Sequence, residues 1–102
     1  MKLQNFLEHA SEFINEHKER ITQYAEQLKK AGGYNDFDLR LAWDCYYYHK
    51  HEITKQKRQA GEQDFYFSDW ICKLCNLDKY QGINDAWIST LYKKALKDCG
   101  IL

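Results

Sequence analysis

Apolar residues enter this chain on a helical beat. Leu3, Leu7, Ala10, Ile14, His17, Ile21, Tyr24, Leu28 and Ala31 follow one another at alternating steps of four and three, a 3.5-residue repeat that gathers them into one seam of a long amphipathic helix. Phe6 and Phe13 widen the seam at its start, while Glu8, Glu12, Glu19, Glu26 and Lys29 take the opposite side. Run unbroken, such a helix is roughly 40 Å long at 1.5 Å per residue. Gly32 and Gly33 end it, because the left-handed backbone of a helix terminus costs glycine least.

The next segment fits two patterns. In NDFDLRLAWDCY, Phe37, Leu39, Leu41, Trp43 and Cys45 alternate with mostly polar residues as in a strand. A hairpin pairing residues 37–47 with DFYF at 64–67 would make the fold α+β. As a helix capped by Asn35 or Asp36, the same stretch has two apolar faces: Leu39, Ala42, Trp43, Tyr46 and Ile53 on one, Phe37, Leu41, Cys45 and Tyr48 on the other. No Gly or Pro interrupts residues 34 to 60, a run longer than strands usually reach, so the helix is preferred and is expected at the centre of the fold. Gly61 breaks it. Ser68 or Asp69 then caps a third helix with Trp70, Ile71, Leu74 and Leu77, closed by Gly82, and Asn84 caps a fourth with Trp87, Ile88, Leu91, Tyr92, Ala95 and Leu96, stopped by Gly100. The expected fold is all-α: one domain over residues 1–102, a small bundle of about four helices with the first two long and antiparallel.

Composition supports a single modest core, with 102 residues that are 44% hydrophobic and 16% aromatic. Fifteen basic residues balance fifteen acidic ones, so no overall field draws the chain toward polyanions and any electrostatic function is local. The segment MKLQNFLEHASEF lacks the apolar run of a signal or membrane span. The cytoplasm is therefore the expected location, with Cys45, Cys72, Cys75 and Cys99 as reduced thiols.

Several motifs invite a chemistry and then fail to supply it. Trp70-Ile71-Cys72-Lys73-Leu74-Cys75 resembles the redox site of thioredoxin-like proteins, but that family opposes its cysteines with a cis-proline and this chain has no proline. At helical spacing among Trp70, Ile71, Leu74 and Leu77, the two cysteines fit as small core residues. Cys72 and Cys75 with His49 and His51 would form a Cys2His2 zinc set only if residues 49–51 were extended, since histidines two apart point to different sides of a helix. His51-Glu52 begins a zinc-hydrolase helix motif, yet Lys55 stands where the second histidine is required. His17, on the apolar seam, reads as a hydrogen-bonded core residue. No nucleophile elbow, phosphate loop or carboxylate pair is recognisable. Neither a cofactor nor a metal is expected, and enzyme is the least supported class.

AWDCYYYHKHEITKQKR, residues 42–58, carries the most distinctive surface. Three successive helical residues sweep about 200°, so Tyr46 and Tyr48 belong to the two apolar faces and Tyr47 reaches solvent, where it can anchor a contact. Lys50, Lys55, Lys57 and Arg58 against Glu52 leave this helix end at +3, matched to its C-terminal dipole. The candidate partner-binding residues are Tyr47, His51, Lys55, Lys57 and Arg58.

GGYNDFDLRLAWDCYY, with its Arg-x-x-Trp-Asp at Arg40, Trp43 and Asp44, and INDAWISTLYKKAL near the end together cover about a third of the chain. They resemble stretches in short uncharacterised helical proteins of phages, prophages and plasmids. That resemblance carries over no functional residue, but it implies an origin on a mobile element, where such proteins bind and disable host machinery. The expected function is a non-enzymatic protein-binding module, an inhibitor or regulator of host machinery such as a defence system, whose partner is a host protein or complex. A homodimer through the heptad seam is a further expectation. The alternative is a small nucleic-acid-binding protein using the basic segment 49–58.

Overall fold

The first seam folds as two helices. In the computed structural model, which describes residues 3–76 and 85–102, α1 spans Leu3–Glu16 and α2 spans Lys18–Ala31, with His17 between them at φ −112°, ψ 21°. Backbone pairing continues around the break: the His17 N–H donates to the Phe13 carbonyl at 3.1 Å and the Ile21 N–H to the His17 carbonyl at 2.9 Å. The His17 side chain donates from Nδ1 to that same Phe13 oxygen at 2.9 Å. A side chain competing for a carbonyl of the i→i−4 ladder is a recognised cause of helix interruption. On the seam, Leu7, Ala10, Ile14, Ile21 and Leu28 are buried, together with Phe6 and Phe13. Tyr24 and Ala31 are surface residues, contrary to the heptad pattern. Beyond the break α2 packs only lightly on α1 and α3, and the seam has less to cover it.

Helix α3, Phe37–Gln59, settles the strand-or-helix question for residues 37–47. Asp36, in extended backbone at φ −138°, accepts the Leu39 N–H on its carboxylate at 3.1 Å, and this cap starts a helix where the alternation alone favoured a strand. The hairpin alternative is overturned, and no strand forms among the described residues. The two-faced apolar helix also needs correction. α3 buries Leu41, Ala42, Cys45 and His49, whereas Leu39 is 40% exposed and Trp43 only half-buried.

After a turn, α4 spans Phe67–Cys75 and α5 spans Asp85–Asp98. α4 starts directly after Tyr66 with no side-chain cap, so Ser68 and Asp69 lie inside its first turn. It stops at Asn76 in the left-handed conformation (φ 56°). Leu77, Gly82 and Asn84 lie outside the described residues. Gly100 (φ 81°) follows α5, and Ile101 and Leu102 turn back to donate their N–H groups to the Leu96 carbonyl. Five helices are thus described where about four were expected, the difference being the break at His17.

α5 holds the assembly together. It makes the most extensive packing of both α3 and α1, and α1 also packs along α4. One cluster of buried side chains joins all five helices. At its centre Phe6 meets Tyr92 edge-on at 5.7 Å between ring centroids and Phe67 at 6.5 Å. His49 is hydrogen-bonded to Tyr92, with Nδ1 and Oη 2.7 Å apart, and its ring stacks on Phe13 at 4.3 Å. All four cysteines are buried, and none of them forms a disulfide among the described residues.

Candidate functional site

The surface of interest follows from helical periodicity on α3. Leu41, Cys45 and His49, at steps of four, point into the core. Leu39, Trp43 and Tyr47, also at steps of four but two residues out of phase, therefore run along nearly the opposite side. Tyr47 is 56% exposed and its ring stacks on Trp43 at 5.9 Å and 27°. Tyr46 packs against both, at 5.9 Å from Trp43 and 5.2 Å from Tyr47. Lys50 Nζ sits 5.9 Å from the centroid of the Tyr46 ring. His51 and Thr54 continue the same face, bordering a shallow groove with Tyr47 and Lys50. The rings thus support one another in fixed positions while presenting their outer surface to solvent, as contiguous apolar patches at binding sites do.

Beside this ladder, between α2 and α3, lies a cleft of about 370 Å³. Buried Ile21 and Cys45 form its floor, and Tyr24, Tyr47 and Tyr48 form its walls. Burial first, then Cys99 and Asp44, push the Cys45 thiol up to about 12, so the floor offers no thiolate at neutral pH. At one rim the Tyr24 hydroxyl donates to Asp44 Oδ2, which also accepts Arg40 Nε at 2.9 Å. The Arg40 guanidinium covers the Tyr34 ring at 5.3 Å. Burial and then the hydrogen bond to Asp44 raise the Tyr24 phenol above its ordinary value, keeping it a donor. At the other rim Arg20 lies over Tyr48, 5.3 Å from the ring centroid.

The residues expected from sequence divide into two groups. Tyr47 and His51 lie on the ladder face, and exposed Lys55 continues it one turn on. Lys57 and Arg58 are engaged elsewhere. Lys57 Nζ is 3.7 Å from the Glu62 carboxylate, and Arg58 Nη2 donates to the Phe65 carbonyl at 3.3 Å. Gln63 Nε2 also donates to the Arg58 carbonyl at 3.1 Å. These contacts hold the turn after α3, so the basic segment does not form one patch with Tyr47. Leu39, Trp43, Tyr24 and Arg20 were not among the binding residues expected from the sequence. Counting back from Tyr47 by fours would have found the first two.

The Cys2His2 set is not assembled. His49 is buried against Tyr92 while His51 is exposed, the divergence that a helical segment imposes. Among the described residues no group of three His, Cys, Asp or Glu side chains is placed to hold a metal ion, and no helix is long and apolar enough to cross a membrane. No family model, curated protein or solved structure matches this chain.

Proposed function

We propose that this chain is a non-enzymatic protein-binding module that acts in the cytoplasm by docking a host protein or complex along the outer face of α3. The observation that carries the proposal is the exposed Tyr47 ring stacked on half-buried Trp43 and braced by Tyr46, with exposed Leu39 on the same face one turn before. These rings are large, apolar and already held in place, so ordering them on binding costs little. The likeness to phage, prophage and plasmid proteins supplies the setting, an inhibitor or regulator of host machinery such as a defence system. Nucleic-acid binding through residues 49–58 is the weaker reading. Lys57 and Arg58 already hold the adjoining turn, which leaves Lys50 and Lys55 as cations on the ladder side, too few for a strong phosphate footprint.

Tagged wild-type protein as bait in host lysate, with mass-spectrometric identification of what it captures, provides the partner. Affinity is then measured for Tyr47→Ala and for the pair Lys57→Ala with Arg58→Ala. Tyr47→Ala is expected to weaken the complex by ~2 kcal/mol, about 30-fold, with little dependence on salt and a larger effect than the charge pair. Wild-type binding to single- or double-stranded nucleic acid at physiological salt, abolished by the charge pair and indifferent to Tyr47, would replace the proposal with its rival.

A further inference from the structure

We infer that the cleft between α2 and α3 is an anchor site for an apolar or aromatic side chain flanked by a single carboxylate, both contributed by one segment of the protein partner. This rests on the ladder being the docking face. Tyr47 is shared between ladder and cleft, so a chain lying along α3 passes the mouth of the cleft and can lower one side chain into it.

Shape and charge together select the occupant. About 370 Å³ above Ile21 and Cys45 falls in the lower part of the range of small-ligand pockets, and three tyrosine walls favour a ring or branched aliphatic group. Of the two charged side chains that line the cleft, Asp44 is already occupied by Tyr24 and Arg40. Arg20 makes no ion pair among the described residues, with Glu16 one turn earlier included. Its guanidinium is nonetheless held in place over Tyr48, leaving its donors free for the two oxygens of a carboxylate, the geometry this group matches best. A nucleotide could satisfy the same ring-plus-anion chemistry. However, further phosphates of a polynucleotide would meet the Asp44 rim, and the chain as a whole carries no excess positive charge.

The test uses the intact protein and needs no partner. The capped dipeptide N-acetyl-Asp-Phe-amide is titrated against ¹⁵N-labelled protein, with N-acetyl-Asn-Phe-amide as the uncharged comparison and AMP as the nucleotide arm. The acidic dipeptide is expected to shift the amide resonances of Arg20, Ile21 and Tyr48 saturably, binding about fivefold tighter than its Asn counterpart, the scale of one exposed ion pair. Arg20→Gln, an exposed substitution, is expected to abolish the difference in affinity between the acidic dipeptide and its Asn counterpart. Absence of saturable shifts at concentrations on the order of 10 mM, equal binding of the two dipeptides, indifference to Arg20→Gln, or tighter binding of AMP would each overturn the inference. A partner complex sensitive to Tyr47→Ala but not to Arg20→Gln would overturn it alone and leave the docking face standing.

Discussion

His49 sits within the core as a neutral base. Burial first, then the nearby His9 and His17, lower its pKa from 6.5 to about 3, while Tyr92, raised well above its ordinary value chiefly by burial, stays a phenol. The unfolded chain therefore takes up a proton at His49 near pH 6.5 that the folded chain refuses. Stability from this residue is complete above pH 6.5 and is lost as pH falls through the window from 6.5 to about 3, at roughly 1.4 kcal/mol per pH unit. Urea midpoints at pH 7 and pH 5 are expected to differ accordingly. The double variant His49→Phe with Tyr92→Phe, which avoids orphaning a buried partner, is expected to lose that part of the difference. An unchanged pH dependence in the double variant would remove His49 as its source. In sequence, the exposure of Tyr47 was legible from the sweep of three successive tyrosines, and the burial of His49 was also available from its step-of-four spacing with Leu41 and Cys45. The engagement of Arg58 was not legible, because its acceptor, the Phe65 carbonyl, is delivered by a turn whose path depends on tertiary packing.

Among the elements, α3 depends most visibly on a local signal. Its opening residues alternate like a strand, and the Asp36 carboxylate on the Leu39 N–H tips them into a helix. Asp36→Ala is expected to cost about 1 kcal/mol and Asp36→Ser to retain most of that contribution, lowering Tm by about 4–8 °C in the alanine variant for a domain of this size. Equal thermal melts for wild type and Asp36→Ala would show that packing alone sets the start of α3. The helix boundaries at Gly32 and Gly100 were readable because glycine marks such ends directly (φ 68° and 81°). The break at His17 was not, since neither Gly nor Pro marks it and the competing contact runs from side chain to backbone within one turn. The start of α4 at Phe67 lacks a side-chain cap, which is why Ser68 and Asp69 misled the reading there.

For the whole molecule, Leu7, Ala10, Ile14, Ile21 and Leu28 of the heptad seam are occupied by the chain's own core, which bears on self-association. Ile14 is fully buried against the other helices. Ile14→Asp places an unpaired carboxylate there at a cost of several kcal/mol, comparable with the 5–15 kcal/mol that holds a typical domain together. The variant is expected to unfold, as read by far-UV circular dichroism and sedimentation. A folded monomer arising from a wild-type dimer would instead assign the seam to a contact between two copies.

The central position of α5 also governs the order of events at the ribosome. α1 and α3 each have their most extensive packing partner in α5, and Tyr92 of α5 touches Phe6 and His49 at once. A nascent chain with only α1 to α4 outside the ribosome lacks the Tyr92 contacts of Phe6 and His49, because α5 has yet to leave the exit tunnel. Folding closes by joining residues near opposite ends of the sequence. The entropic cost of that closure grows only slowly with the length spanned, but it leaves the unfinished polypeptide open to aggregation until the fifth helix emerges.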